Sequence, residues 1–307
     1  NSKRDSQASV FFLNLVMDAT CTLDIIIRYA SPEKNKMQGK VFKPNPDLSN
    51  FIKRYWTLNF PIENTPKINT IIPDGTMKLI FHHGDLYWHH PPEGKKFLQP
   101  RCFLIGQLTR PYVVEPNGDT GTFVVQFHHC GFFPFADIKL KDYQNKPIPL
   151  NMVFKEEGNL IETQILNAGS TKERIKIIED FLLNRLFESK NIDKIISTAV
   201  DTILTVNGNL SITDLSQANG ITRRQLLRKF QSKIGINPKQ LSKIIKIQAA
   251  LKELMMETKP KLTNVAYSND FYDQSHFIKE FKEFTGFSPK EFYNDQLQMS
   301  VIFDKLE

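Results

Sequence analysis

The last third of the chain contains an internal repeat that constrains the fold more than any other feature of the sequence. Two apolar residues four positions apart, a glycine and a Pro-Lys pair occur twice, 51 residues apart: Leu226, Phe230, Gly235, Pro238 and Lys239, and again Phe277, Phe281, Gly286, Pro289 and Lys290. Apolar residues at this spacing share one helix face, glycine ends a helix in the left-handed conformation, and proline starts the next segment. The repeat therefore predicts two similar helical modules.

The first module has residues suited to begin and end two consecutive helices. Ser211 or Thr213 is expected to cap a short helix through Ala218, because a side-chain oxygen there accepts hydrogen bonds from exposed backbone N–H groups. Gly220 provides a turn, and Thr222 is expected to cap the second helix. This order predicts a helix-turn-helix unit.

The second module has the same order. Thr263 is expected to cap its short helix, Asn269-Asp270 to form the turn, and Asp273 to cap the helix that continues through Phe284. The apolar periodicity between the modules predicts one long helix from Pro238 to about Met256.

The second helix of each module combines an apolar face with a polar one, as binding in a DNA groove requires. In the first module it contains Leu226, Leu227 and Phe230, and five cations without an acid: Arg223, Arg224, Arg228, Lys229 and Lys233. In the second it offers Gln274, Ser275, His276, Lys279 and Lys282 beside two glutamates. A charged face on one helix is usually only solvated. Two such helices in a repeated framework favour a DNA-binding function. Residues 209–296 contain 14 Lys and Arg against 9 Asp and Glu, so this region holds +5 of the net charge of +7.

The stretch from Leu210 to Tyr293 resembles the DNA-binding domain of the AraC/XylS family of transcription regulators. The resemblance is clearest in RRQLLRKFQSKIGINPKQL, which starts at Arg223, and in DQSHFIKEFKEFTGFSPKEF, which starts at Asp273. It implies two helix-turn-helix subdomains whose second helices enter successive major grooves on one face of DNA. By position it implies base contacts from Arg224, Leu227 and Arg228 in the first unit, and from Gln274, Ser275, Ile278 and Lys279 in the second.

Three residues of this region carry separate expectations. The family usually has glycine in the second turn where this chain has Asp270, so we expect Asp270 to adopt the left-handed conformation, which aspartate tolerates better than most residues. Arg228 is expected to bind a base edge, guanine being the best match. Lys233, at the helix end, is expected to meet a phosphate.

The N-terminal half has the pattern of short antiparallel strands. Aromatic and branched residues concentrate in five candidates, Arg54–Phe60, Met77–His82, Leu86–His89, Phe103–Gln107 and Thr122–His128, with turn-forming residues between them. This spacing predicts a barrel or a sandwich, whose interior either holds a small ligand or is filled by side chains. The segment IPDGTMKLIF resembles, more weakly, the N-terminal region of a subset of AraC-like proteins.

A helical pattern follows in Thr171–Glu188. Its apolar stripe is formed by Ile175, Ile178, Leu182 and Leu186. Packing against its own domain is the favoured interpretation, and a dimer seam is the alternative.

Several residues suggest other functions. The pairs His82-His83, His89-His90 and His128-His129 could offer three inward metal ligands, but they lack the spacing of metal-binding cupins, so we expect no metal. Trp56, Tyr87, Trp88 and Tyr112 could line a pocket, although strand aromatics are usually core. There is no GxSxG, GxxxxGK[ST] or GxGxxG motif. We therefore expect no enzyme, no catalytic residues and no cofactor. The alternatives are a metal- or ligand-binding barrel enzyme or sensor fused to a DNA-binding module, and a protein-interaction adaptor.

These patterns predict an α+β protein with an N-terminal antiparallel β-barrel or cupin-like domain and an all-α domain of two helix-turn-helix subdomains. The expected divisions are an extension of doubtful structure in 1–36, a β-rich sensing or dimerisation domain in 37–150, a helical linker in 151–192, an AraC-type DNA-binding domain in 193–296 and a tail in 297–307. Met37 directly precedes an apparent domain opening and is a candidate natural start.

The expected function is sequence-specific transcriptional regulation in the cytoplasm, with activation as the expected sign. The expected partners are double-stranded DNA and RNA polymerase, with a small-molecule effector and a homodimer left open. No membrane partner is expected, because Asp18 and Asp24 interrupt the apolar stretch Val10–Ile27, which falls short of the roughly 20 residues that span a bilayer. Three cysteines without CxxC spacing, Cys21, Cys102 and Cys130, fit a reducing compartment.

Overall fold

The computed structural model describes residues 26–27, 38–61, 68–189, 193–256 and 260–293. Strands occupy the N-terminal half and helices the C-terminal half, which confirms the α+β class. The expected tail in 297–307 and most of the expected extension in 1–36 lie outside the described residues.

The N-terminal domain is built from eleven described strands that pair antiparallel. They are β1 (Ile26–Ile27), β2 (Gln38–Phe42), β3 (Ile52–Phe60), β4 (Asn69–Ile71), β5 (Lys78–His82), β6 (Tyr87–His90), β7 (Phe97–Leu98), β8 (Cys102–Ile105), β9 (Tyr112–Pro116), β10 (Thr120–Phe127) and β11 (Pro147–Pro149). They form a five-stranded sheet in the order β1-β4-β9-β6-β7 and a six-stranded sheet in the order β11-β8-β5-β10-β3-β2. The expected barrel-like domain therefore consists of two sheets with a cavity between them.

The six-stranded sheet is buried on both faces because its central strands alternate apolar side chains between two cores. On β3, Trp56 and Leu58 face the five-stranded sheet, whereas Tyr55 belongs to the opposite core. On β10, Val124 faces the cavity side and Phe123 the other side. The five-stranded sheet covers one face of this sheet, and three helices cover the other.

These helices are α1 (Leu150–Phe154), α2 (Glu156–Asn167) and α3 (Thr171–Glu188). Ile161 and Ile165 of α2 and Ile178 and Leu182 of α3 are buried in one cluster with the sheet. The apolar stripe of α3 covers the sheet, so residues of 151–188 pack in the N-terminal core. The division that assigns 151–192 to a helical linker stays a prediction. The favoured interpretation of that stripe is confirmed, and it is not exposed as a dimer seam.

Residues before Met37 also contribute to the sheet. Ile26 and Ile27 pair with Ile71 and Thr70 at the edge of the five-stranded sheet. A two-residue strand is too short to show an alternation of period 2, so no pattern in the sequence indicates it.

The C-terminal domain contains seven described helices: α4 (Lys194–Thr205), α5 (Ile212–Ala218), α6 (Arg223–Lys233), α7 (Pro238–Met256), α8 (Leu262–Ser268), α9 (Gln274–Thr285) and α10 (Pro289–Tyr293). One continuous cluster of buried aliphatic and aromatic side chains joins them. None of the helices in the described ranges is long and apolar enough to cross a bilayer.

Candidate nucleic-acid interface

Helix α6 begins and ends at the residues expected from the sequence. Thr222 and Gln225 form a reciprocal capping box, in which Gln225 N donates to Thr222 Oγ1 over 3.2 Å and Thr222 N donates to Gln225 Oε1 over 2.9 Å. The chain leaves the helix through Gly235, which has a φ of +94° that favours glycine. Local hydrogen bonds therefore fix the start of the helix, and a glycine in the left-handed conformation lets the chain leave it.

The predicted face of α6 is divided between solvent and the protein interior. Arg223, Arg224 and Arg228 are exposed, as is Leu227, whereas Leu226 and Phe230 on the opposite face are buried. The free face thus carries three guanidinium groups around one apolar side chain. This combination suits base edges, phosphates and a thymine methyl group.

Two of the five predicted cations of α6 have partners inside the chain. Lys229 Nζ lies 2.5 Å from Oδ2 of Asp193, the residue that caps α4. Lys233 Nζ lies 5.4 Å from the ring centroid of Phe133 in the N-terminal domain, within the range of a cation–π contact. DNA contact by these two lysines therefore stays a prediction. Each of them also makes a contact within the chain, an ion pair for Lys229 and a cation–π contact for Lys233.

Helix α9 is capped by Asp273, whose carboxylate accepts a 2.7 Å hydrogen bond from His276 N, as the sequence predicts. Four of its predicted contact residues are exposed: Ser275, His276, Lys279 and Lys282. Gln274 and Ile278 are partly buried. Gln274 Oε1 accepts a hydrogen bond of 2.9 Å from Thr263 Oγ1, which ties the start of α9 to α8.

That bond also explains one wrong expectation. Thr263 does not cap α8, because the helix begins at Leu262 and its N-cap is Lys261, which makes no side-chain capping hydrogen bond. In α5, by contrast, Ser211 is the cap and accepts a 3.0 Å hydrogen bond from Asp214 N.

Two exposed tyrosines beside the second turn were missed by the sequence analysis. Tyr267 is 62% exposed at the end of α8, and Tyr272 is 86% exposed just before α9. A phenol hydroxyl is a suitable donor to a phosphate oxygen. Their signal in the sequence was weak because an aromatic residue near a helix is ordinarily assigned to the core.

The sheet domain contains a second candidate site, a cavity of about 90 Å³ between its two sheets. Its walls are mostly apolar and include three of the four aromatic residues considered from sequence, Trp56, Tyr87 and Tyr112. Trp88 is elsewhere, with Nε1 donating to Asn117 Oδ1 over 2.8 Å.

The polar groups of the cavity are balanced in charge. Lys78 Nζ pairs with Asp74 Oδ2 at 2.7 Å. Burial lowers the pKa of His82 to about 4, so its ring is neutral at physiological pH, and its nitrogens lie 3.0 Å from Thr122 Oγ1 and 3.1 Å from Gln99 Oε1. The cavity therefore presents paired polar groups and no net charge.

The histidine pairs are not brought together. His89 stacks on Tyr112, with ring centroids 3.9 Å apart, and His128 Nε2 lies 3.1 Å from Ser49 O. Across the ranges that the structure describes, no cluster of three or more His, Cys, Asp or Glu is arranged to hold a metal ion.

A loop between β4 and β5, residues 72–76, touches both the cavity and the helical domain. Three of its residues line the cavity: Ile72, Asp74 and Thr76. On the other side, Pro73 O accepts a 2.7 Å hydrogen bond from Gln248 Nε2 of α7. A Cβ atom on Gly75 would lie 3.0 Å from Leu241 Cδ1, so this loop packs directly on α7.

Comparisons with known proteins give separate matches for the sheet domain and the helical domain. Residues 215–295 match the model of a helix-turn-helix domain, and residues 40–149 match that of a domain of unknown function, DUF6597. An uncharacterized HTH-type transcriptional regulator of Staphylococcus aureus is 27% identical over 230 residues, which are 71% of this chain and 28% of the relative. The chain thus spans about a quarter of the length of the staphylococcal relatives that it matches.

A shorter relative is covered more fully. The HTH-type transcriptional activator AarP of Providencia stuartii is 31% identical over 98 residues, which are 30% of this chain and 72% of AarP. Among solved structures, ToxT of Vibrio cholerae superposes with a TM-score of 0.43 at 13% identity, over 89% of this chain and 97% of ToxT.

The capped helix pairs, their repeated turns and the joining helix α7 define a protein with a double helix-turn-helix domain. The chain belongs to the AraC/XylS family of transcriptional regulators, as its helix-turn-helix match and its relation to AarP show.

Proposed function

We propose that this chain is a sequence-specific DNA-binding transcriptional regulator that acts in the cytoplasm, with α6 and α9 as recognition helices in successive major-groove segments. One observation carries the proposal. Each helix buries apolar side chains in its own unit and exposes long polar and cationic ones on the opposite face.

The exposed residues divide into two roles. Arg224 and Arg228, one turn apart on α6, are assigned to base edges, with Leu227 between them against a thymine methyl group. On α9 the base contacts are assigned to Gln274, Ser275, Ile278 and Lys279. Arg223, His276 and Lys282, which flank these faces, are assigned to phosphates, together with Tyr267 and Tyr272.

Selection of bound sequences from a random DNA pool tests this function without knowledge of a target. The full chain should enrich one motif with two parts, and fluorescence anisotropy should show tighter binding to it than to a scrambled sequence. Arg224→Ala should reduce that difference. Lys172→Ala, which removes the same charge from an exposed position on α3, should not. Enrichment of no motif would contradict the proposal.

Activation through RNA polymerase is the proposed regulatory outcome, and the relation to AarP, which is named as an activator, supports it. Transcription in vitro from a template with the selected motif upstream of a weak promoter measures the sign. More transcript with wild type than with Arg224→Ala supports activation, and less transcript identifies a repressor.

We further propose that the cavity of the sheet domain holds a small effector. Because Lys78 and Asp74 already pair and His82 is neutral, a charged ligand would be desolvated without compensation. The apolar walls and the volume of about 90 Å³ favour a neutral organic molecule no larger than a single ring, since cavities of about 150 Å³ hold benzene.

Tryptophan fluorescence offers a direct test. The chain has two tryptophans, Trp56 in the cavity wall and Trp88 outside it. In Trp88→Phe, titration with neutral phenols and short alcohols should change the emission of Trp56, and the matching carboxylates should have little effect. A Val124→Phe substitution, which fills the cavity, should abolish the response. Equal responses to the acids would contradict the proposed ligand class.

A further inference from the structure

The turns of the two helix-turn-helix units have the same backbone construction. In each, the asparagine that ends the short helix donates from Nδ2 to the carbonyl oxygen four residues earlier, over 2.8 Å for Asn219 and 3.0 Å for Asn269. The next residue is left-handed in both, with a φ of +62° at Gly220 and +54° at Asp270. The turns differ in what this residue carries, a hydrogen atom in one and a carboxylate in the other.

The side chain of Asp270 has a hydrogen-bond partner, whereas the space next to Gly220 is open. A Cβ atom on Gly220 would meet nothing within 4 Å. Asp270 Oδ2 instead accepts a hydrogen bond of 2.5 Å from Nδ2 of Asn209. Because a left-handed conformation is strained for every residue except glycine, the hydrogen bond offsets a conformational penalty that the first turn avoids.

Asn209 belongs to the first unit. It lies in the loop between α4 and α5, where its backbone N–H donates to Val206 O over 2.9 Å. The loop is held closely on α7, since a Cβ atom on Gly208 would approach Ser242 O to 2.1 Å. The bond from Asn209 to Asp270 therefore links the loop of one unit to the turn of the other.

Helix α7 also binds the second turn directly. Lys246 Nζ donates to the backbone oxygen of Asp270 over 2.6 Å and lies 4.7 Å from the ring centroid of Phe271. One turn earlier on α7, Lys243 Nζ pairs with Glu280 Oε1 of α9 at 2.6 Å. The second turn and its recognition helix are thus both tied to the helix that joins the units.

We propose that Asn209, Lys246 and Asp270 form an inter-unit latch, which fixes the spacing of the two recognition helices and makes binding depend on the distance between the two DNA segments. This inference rests on the proposed DNA-binding function. The three residues are positioning residues, and none of them is assigned a contact with DNA.

The latch has a measurable consequence for DNA recognition. One inserted base pair moves the second segment by about 3.4 Å and rotates it by about a tenth of a turn. Rigidly linked units can follow this displacement only with strain, whereas loosely linked units can adapt to it. Rigid linkage therefore predicts strong discrimination between spacers, and its loss predicts tolerance.

The experiment compares the selected site with the same site carrying one extra base pair between its two parts. For wild type, the insertion should lower affinity at least about tenfold. Asp270→Gly and Asn209→Ala should bind the selected site about three- to fivefold more weakly and lose only about threefold on insertion. The double variant should lose no more than either single variant, because both remove the same hydrogen bond.

Two control variants separate the latch from other effects. Asp270→Asn keeps an oxygen acceptor and tolerance of the left-handed conformation, so it should keep the wild-type insertion penalty. Gly220→Asp introduces a carboxylate at the equivalent position of the first turn, where a Cβ atom would meet nothing within 4 Å, and should affect both sites alike. A wild-type insertion penalty in Asp270→Gly and Asn209→Ala, or loss of the penalty in Asp270→Asn, would overturn the proposal.

A measurement without DNA separates the failure of the latch from the failure of the proposed function. In the full chain, Asn209→Ala should speed hydrogen exchange at the amide of Phe271, which donates to Ala266 O within the turn. Unchanged exchange there would overturn the latch whatever the DNA result. Faster exchange in a protein whose wild type selects no DNA would support the contact and reject the function.

Discussion

Arg228 and Lys233 lie on the same helix and carry the same charge, but their head groups have different surroundings. Arg228 is exposed one turn after Arg224, in a position that the family resemblance assigns to base contact. We expect Arg228→Ala to cost about 1–3 kcal/mol on the selected site and much less on scrambled DNA. Anisotropy titrations on both DNAs measure this difference. Equal losses on the two would show that α6 does not read bases.

Lys233 gives the opposite expectation. The sequence alone assigns it to a phosphate, so that its removal would make the salt dependence of binding shallower by about one unit. The structure places its ammonium over the ring of Phe133 in the other domain. We therefore expect Lys233→Met to leave the slope of log affinity against log salt unchanged while lowering thermal stability. A shallower slope would return Lys233 to the phosphate contacts.

His82 makes stability depend on pH. Burial lowers its pKa to about 4 in the folded protein, against about 6.5 in the unfolded chain. Between these values the unfolded state binds more protons, so stability is complete above pH 6.5 and is lost as the pH falls. We expect His82 to contribute a loss of about 2 kcal/mol in the free energy of unfolding between pH 7 and pH 5.

Urea unfolding of wild type and His82→Gln at both pH values checks this expectation. Glutamine does not titrate and keeps a donor and an acceptor for Gln99 and Thr122, so its loss on acidification should be smaller. The pKa values of His83, His89 and His128 are also lowered by burial, and they act in the same direction in both proteins. Identical pH dependences would mean that these other histidines carry the effect.

At the scale of elements, the capping box of α6 connects a local sequence signal to the candidate interface. Thr222→Ala removes the acceptor of the Gln225 backbone N–H and should destabilise the helical domain by about 1 kcal/mol. Thr213→Ala is the matched control, because Thr213 is exposed in α5 and Ser211 caps that helix. Denaturation followed by helical circular dichroism compares the two. Equal effects would contradict the role of the box.

The elements that the sequence predicts well are those with local causes. Helices α6 and α9 follow from a repeated apolar spacing, a cap and a left-handed residue, and α7 follows from apolar periodicity. Asp270 adopts the expected left-handed conformation. Short strands such as β4 and β7 were missed because they exist through their pairing with β9 and β6, which no window of sequence contains.

In the candidate interface, too, features with local causes are predictable from the sequence and long-range contacts are not. Helical period is sufficient to place Arg224, Arg228 and Lys279 on exposed faces. It does not reveal that Lys229 pairs with Asp193, 36 residues earlier, or that Asn209 binds Asp270, 61 residues later. Contacts at such separations depend on how the elements pack, so the sequence pattern alone does not show them.

At the scale of the whole molecule, the two domains share a packed contact. Ile72 and Phe133 of the sheet domain belong to the same buried cluster as the helices of the helix-turn-helix domain. A second contact lies apart from the cavity, where Gln144 Nε2 donates to Gly235 O over 2.6 Å at the end of the first recognition helix. The sheet domain therefore contacts the elements that position both recognition helices.

The loop 72–76 connects the cavity to the helical domain, because one side of it lines the cavity and the other side binds α7 through Gln248. A ligand that displaces the loop should change DNA affinity, and DNA should change ligand affinity by the same factor, as linkage requires. Gln248→Ala should reduce that factor toward one while leaving ligand binding, measured by Trp56 emission in Trp88→Phe, in place. Gln144→Ala removes an interdomain hydrogen bond without touching the loop, so it should keep the factor. DNA titrations with and without a bound phenol decide between them, and an unchanged factor in Gln248→Ala would exclude this loop as the route.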